Sequence, residues 1–135
     1  MSESAELLFA NETFYHAFHG HDMEAMDALW ARHGPVVCVH PGWQALMTRA
    51  AVMESWRGIL SGPGAPSIAC RKPRALVKGE LGFVVCYELV GQGVLVATNV
   101  FAREDGAWKM VHHHAGPCGS PPADLAQEPP AEPMQ

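Results

Sequence analysis

Three consecutive histidines, His112-His113-His114, follow Trp108-Lys109-Met110-Val111 and precede Ala115-Gly116-Pro117. Imidazole is the side chain whose ordinary pKa lies nearest neutrality, so a histidine held in a pocket can take or give a proton, and several together can bind a metal. Two further residues could join them. His40 closes the β-rich run Val36-Val37-Cys38-Val39, and Asn99 sits in an apolar run where its amide must find partners, a ligand among them. Side chains alternate faces along a strand, so plain parity groups Trp108, Met110, His112 and His114 on one face, with Lys109, Val111 and His113 on the other. With Trp108 inward, so are His112 and His114, and these two with His40 and Asn99 are the residues whose types could carry acid-base chemistry. An alternative makes His40, His112 and His114 three imidazole ligands for zinc or iron. No carboxylate or cysteine at ligand spacing adjoins them, and the main expectation is neither metal nor cofactor.

Positioning these residues needs a framework, and the sequence supplies one. Leu7, Leu8, Asn11, Phe14, Tyr15 and Phe18 recur at helical spacing, which predicts an amphipathic helix from about Ala5 to His19, ended by Gly20. Asp22 can cap a shorter helix carrying Met26, Leu29 and Trp30. After the strand that ends at His40, Pro41-Gly42 breaks the chain, and Thr48 caps a third helix with Val52, Trp56, Ile59 and Leu60 on its apolar face. Four strands follow: Ser67 to Val77, with Pro73 marking a bulge or edge, then Gly82 to Val90, Val94 to Arg103 and Ala107 to His114. Gly91-Gln92-Gly93 and Glu104-Asp105-Gly106 are turns of the kind that join antiparallel neighbours. One domain is expected over residues 1–117. Residues 118–135, rich in proline and small polar residues with nothing to fill a core, are expected to be a disordered or loosely draped tail.

Composition narrows the partners. A chain of 135 residues, 48% apolar and 17% charged, fits one globular core. Its net charge of -5, with only nine Lys and Arg, argues against nucleic acid and favours a small molecule or another protein. No apolar run approaches the roughly 18 residues that span a bilayer, and Met1-Ser2-Glu3-Ser4-Ala5-Glu6 lacks the basic start and apolar core of a secretory signal. Cys38, Cys70, Cys86 and Cys118 are scattered without a C-x-x-C pair and read as buried free thiols in a reducing compartment. The expected location is the cytoplasm, with no membrane partner.

The order helix, helix, strand, helix and then a run of strands resembles the cone-shaped α+β fold of the nuclear-transport-factor-2-like (NTF2-like) superfamily. Phe14-Tyr15-x-Ala17-Phe18-x-x-x-Asp22-x-x-Ala25-Met26-x-x-Leu29-Trp30 and Gly106-x-Trp108-Lys109-Met110-Val111-His112-x-His114 are similar to its SnoaL-like members. The resemblance covers about residues 5 to 117. It implies about three N-terminal helices packed on a strongly curved, mostly antiparallel sheet, a pocket at the wide end of the cone, and a homodimer paired through the outer sheet face. Phe14, Tyr15, Phe18, Trp30, Trp43 and Trp56 are then the expected ligand-binding residues, with Trp43 at the mouth. By comparison with ketosteroid isomerase members, His40 falls at the position of the catalytic base and Asn99 near that of the neutral acid. Phe14 takes the place of the proton-donating tyrosine and cannot donate, which leaves Tyr15 as a substitute only if it turns inward. The superfamily hosts isomerases, cyclases, dehydratases and non-catalytic assembly modules, so the resemblance implies a pocket rather than one reaction.

Overall fold

A computed structural model describes residues 1–64 and 67–125. Helix α1 spans Glu3–His19, α2 Met23–Leu29 and α3 Arg49–Ser61; strands β1 to β5 span Val37–Val39, Ile68–Lys78, Leu81–Val90, Gly93–Glu104 and Ala107–Pro117. The two caps expected from sequence are made: the Asp22 side chain accepts from the Ala25 amide at 3.0 Å, and Thr48 from that of Ala51 at 3.1 Å. Ser2 does the same for α1, which therefore starts two residues earlier than its apolar spacing indicates.

The five strands form one sheet in the order β1-β5-β4-β3-β2, antiparallel except where β1 runs parallel to β5. Pro73 marks a bulge as expected: the register of β2 against β3 shifts between Arg71 and Arg74, with Lys72 at a positive φ of 53°. One boundary differs. The run Ala115-Gly116-Pro117 does not break β5, because β4 offers it partners as far as Leu95 opposite Pro117.

All three helices face one side of the sheet. On β3 the residues Gly82, Val84, Cys86 and Glu88 point inward, and on β4 Ala97, Asn99 and Phe101 do. Gly82 lets α1 approach, since a Cβ there would stand 2.6 Å from a methyl of the fully buried Leu7. Phe14, Trp30, Trp56, Phe101 and Met110 have no exposed surface and fill the centre of the cone. The start of the proline-rich segment is not devoid of packing: the Cys118 amide donates to the Val94 carbonyl, Lys72 pairs with Asp124 at 2.8 Å, and Leu125 is buried. Residues 126–135, the remainder of the expected tail, lie outside the described residues.

Candidate functional site

A cavity of about 250 Å³ opens at the wide end of the cone, and Phe18, His40, Trp43, Glu88, Leu95 and His113 are among its lining residues. Apolar side chains make most of its wall, while Glu88, His40 and His113 supply the polar atoms. Each polar group is held by a different element. His40 directly follows β1, Glu88 lies on the inward face of β3 and His113 on that of β5.

The hydrogen bonds fix which ring nitrogens are bare. Ser55 Oγ donates to the Val52 carbonyl at 2.7 Å, so it accepts from His40 Nε2 at 2.9 Å. His40 thus carries its proton on Nε2, and its Nδ1 lone pair has the buried Cys38 thiol as a neighbour, with Sγ at 3.9 Å. The Asn99 amide nitrogen donates to Asn11 Oδ1 at 2.9 Å and to Tyr15 Oη at 3.1 Å, so its oxygen accepts from His113 Nδ1 at 2.6 Å. The bare nitrogen of His113 is Nε2, which stands 4.0 Å from Glu88 Oε2. Tyr15 closes the circuit by donating to that same oxygen at 2.6 Å. His113, Asn99, Tyr15 and Glu88 form a ring of directed hydrogen bonds with one gap, between Glu88 and His113.

Burial sets the charge of each member. Loss of water raises the Glu88 carboxyl to about 7, against which the Tyr15 hydroxyl pulls downward. Desolvation lowers His40 to about 4, and it lowers His113 to about 3, with smaller contributions from His40, His112 and His114. Both rings are therefore neutral near pH 7, and Glu88 is divided between its two forms. The Glu88 to His113 approach is not an ion pair, because His113 carries no charge there. Tyr15 is raised well above its ordinary value, by burial first, and stays a donor.

Several expected placements are corrected. His113, not His112 and His114, faces the interior. The register of β5 against β4 passes from Val100 opposite His112 to Phe101 opposite Met110, so one residue of β5 at Val111 is extra, and this bulge inverts the alternation. His112 and His114 lie on the outer face, and with His40 inside, the three-imidazole arrangement of His40, His112 and His114 is not formed. Asn99 is inward, but both ends of its amide are engaged, so it positions His113 and Tyr15 instead of meeting a ligand. Phe14, Trp30 and Trp56 are core, stacked edge-on in the case of Phe14 and Trp56 at 5.5 Å, and do not line the cavity. Phe18, His40 and Trp43 do, with Trp43 about half exposed at the mouth. Tyr15 needs no rotation: it already points at β3, beside a second cleft between α1 and β2.

Sequence reading missed Glu88, His113, Ser55 and Asn11 as polar members of the site. Glu88 had a signal, as the one charged residue in the run Phe83 to Val90, on the same parity as Val84 and Cys86. Ser55 had a weaker one, lying between Val52 and Trp56 on the apolar face of α3.

Residues 8–120 match the model of a SnoaL-like domain. The chain is 30% identical to a "putative dehydratase" of the NTF2-like family from Streptomyces avermitilis, with a TM-score of 0.79 over 87% of this chain and 97% of that one. It is 32% identical to a "putative" calcium/calmodulin-dependent protein kinase type II association domain from Thiobacillus denitrificans, with a TM-score of 0.71 over 81% of this chain and 92% of that one. The F-box protein SKIP8 of Arabidopsis thaliana is 25% identical over 111 residues, which are 81% of this chain and 48% of that protein. The chain thus spans about half the length of this curated relative.

Proposed function

The chain belongs to the SnoaL-like domain family, of NTF2-like fold, and within it we propose an acid-base enzyme that eliminates water from a small, uncharged, hydroxylated carbonyl compound. The observation that carries this reading is Glu88, a carboxyl with a pKa of about 7 lining a mostly apolar cavity and 4.0 Å from the bare Nε2 of His113. A proton-transferring group works best with a pKa near the working pH, and the ring from His113 through Tyr15 holds Glu88 in place. The lone pairs of His40 Nδ1 and His113 Nε2 accept the substrate's hydroxyl protons. As carboxylate, Glu88 takes the proton α to the carbonyl; the electron pair forms the double bond, hydroxide departs, and Glu88 returns the proton to it as water. The atoms balance, and Glu88 ends as it began. Among the described residues no Lys or Arg lines this cavity, so carboxylate and phosphate substrates find no counter-charge from them there. The similarity to the Streptomyces avermitilis protein supports the same class.

The test is a panel of neutral β-hydroxy ketones and lactones, followed by the ultraviolet absorbance of the conjugated product. Glu88→Gln is expected to remove turnover while leaving ligand quenching of Trp43 fluorescence in place. Turnover retained in Glu88→Gln overturns the role of Glu88, and no binding by any member overturns the substrate class.

A second reading, a non-catalytic assembly module, draws on the similarity to the association domain and on Phe14, Trp56 and Met110 filling the deep part of the cone. Under either reading the working form is a homodimer paired through the outer sheet face and located in the cytoplasm. The mainly apolar, half-buried Phe83, Val85, Tyr87, Val96 and Val100 on that face support the pairing, and four free thiols suit the compartment.

A further inference from the structure

Gly58 is a glycine that its backbone does not require. It lies inside α3 without the positive φ that favours glycine, and among the described residues a Cβ added to it would meet nothing within 4 Å. Alanine would hold the helix better at such a position, because glycine has more conformational freedom to lose on folding. What the missing side chain leaves is space. Gly58 forms part of a groove of about 570 Å³ between α3 and the loop after β1, with Trp43, Leu46, Ala51 and Ile59 as its apolar walls. The groove has few polar atoms to offer: Ser55 Oγ is engaged by the Val52 carbonyl and by His40, and Glu54 is an exposed carboxylate 3.7 Å from Arg57. It also adjoins the cavity. Trp43 and Ile59 line both spaces, and the Trp43 ring, at the cavity's mouth, has its centroid 4.8 Å from that of His40. A molecule too long for the cavity leaves it beside Trp43 and meets the apolar walls of the groove there.

Resting on the dehydration reading of the cavity, we propose that this groove binds an uncharged hydrocarbon tail of the substrate, whose hydroxylated carbonyl head occupies the cavity. The substrate is then a β-hydroxy ketone or lactone with an alkyl chain, and Gly58 sets how much of that chain is accepted. From Ala51 to Gly58 the helix advances about 10 Å, which bounds the length of tail that the groove can cover. A tail ending in a carboxylate is disfavoured by Glu54, and among the described residues no Lys or Arg lines the groove to offset it. A second copy of the chain is a poorer occupant, since two turns of one helix offer far less than the roughly 800 Å² per partner that a stable pair of proteins buries. The groove is also on the helical side of the molecule, away from the outer sheet face.

The experiment is calorimetric titration of the full chain with 2-alkanones whose tails lengthen from propyl to nonyl. These have the carbonyl head but no hydroxyl to eliminate, so binding is read apart from chemistry. Affinity should rise about twofold per methylene, against about fourfold for complete burial, until the tail outgrows the groove. Gly58→Phe should cut the preference for the longest ketone over the shortest by about tenfold, with Gly58→Leu as a second version should the larger ring disturb the helix. Arg57→Phe, which adds the same ring to an exposed position of α3 outside the groove, should keep the preference. Affinity indifferent to tail length, or a length preference that survives both Gly58 variants or is lost equally with Arg57→Phe, overturns the proposal. So does loss of self-association in ligand-free Gly58→Phe, which would assign the groove to a second copy. The reaction fails separately: length-dependent binding with no turnover of any β-hydroxy ketone keeps the groove and removes the dehydration, whereas turnover with no length dependence does the reverse.

Discussion

Glu88 places a titratable group where the fold must pay for its charge. In the unfolded chain it ionises as pH passes its ordinary value of 4.5, whereas in the folded chain it does so near 7. Between those values the unfolded state has released a proton that the folded state still holds, so stability falls as pH rises through the window. The loss is about 1.4 kcal/mol per unit and reaches ~3 kcal/mol above pH 7. Glu88→Gln keeps an oxygen to accept from Tyr15 and removes the charge. It should be more stable than the parent by up to ~3 kcal/mol at pH 8, with the gain vanishing toward pH 4.5. Urea unfolding at pH 5 and pH 8 measures this, and an equal difference at both would refute a buried, raised carboxyl. Tyr15→Phe acts in the other direction. It removes the donor that lowers Glu88, so the pH at which stability levels off should move upward.

At the scale of elements, whatever depends on local chemistry was legible in the sequence. Asp22 and Thr48 announce helix starts because a short side-chain oxygen before an apolar period has a free amide to satisfy, and both make that bond. Pro73 announces a break in β2 because it has no amide for the ladder. The bulge at Val111 carries no such mark. It arises from how β4 and β5 fit around the core, and one extra residue inverts every inference drawn by parity beyond it, so that parity alone puts His113 on the outer face. The ring from His113 to Glu88 was hidden for a related reason: its members lie on α1, β3, β4 and β5, and only the sheet order brings them together. Gly82 is another requirement of packing. Gly82→Ala places a methyl against Leu7 where α1 crosses β3, and should cost about 1–3 kcal/mol as overpacking. Leu7→Ala alone is costly, but in its presence Gly82→Ala should become nearly neutral; additive costs in the double-mutant cycle would mean that Gly82 serves another purpose.

For the whole molecule, two consequences reach beyond any single contact. If the outer sheet face pairs two copies, a charge at its centre has to be buried without a partner. Val85→Arg, between Phe83 and Tyr87 on β3 and opposite Thr98 on β4, should then give a monomer by light scattering with an unchanged far-ultraviolet spectrum. A dimer that survives would move the interface elsewhere. The second consequence is the pH profile of stability, in which the buried histidines oppose Glu88. His40 and His113 are lowered to about 4 and 3 in the fold from an ordinary 6.5, so below pH 6.5 the unfolded chain takes up two protons that the folded chain refuses. That costs about 2.7 kcal/mol per unit of acidification, while Glu88 returns about 1.4 kcal/mol per unit down to 4.5. The net loss is about 1.4 kcal/mol per unit between pH 6.5 and 4.5, twice that below 4.5, and a plateau follows above about pH 7.5. Stability should therefore peak near pH 6.5, in urea titrations run from pH 4 to 9. A protein that grows steadily more stable down to pH 5 would show that the two rings are not held neutral. The ring of hydrogen bonds around the cavity would then need a different assignment of protons.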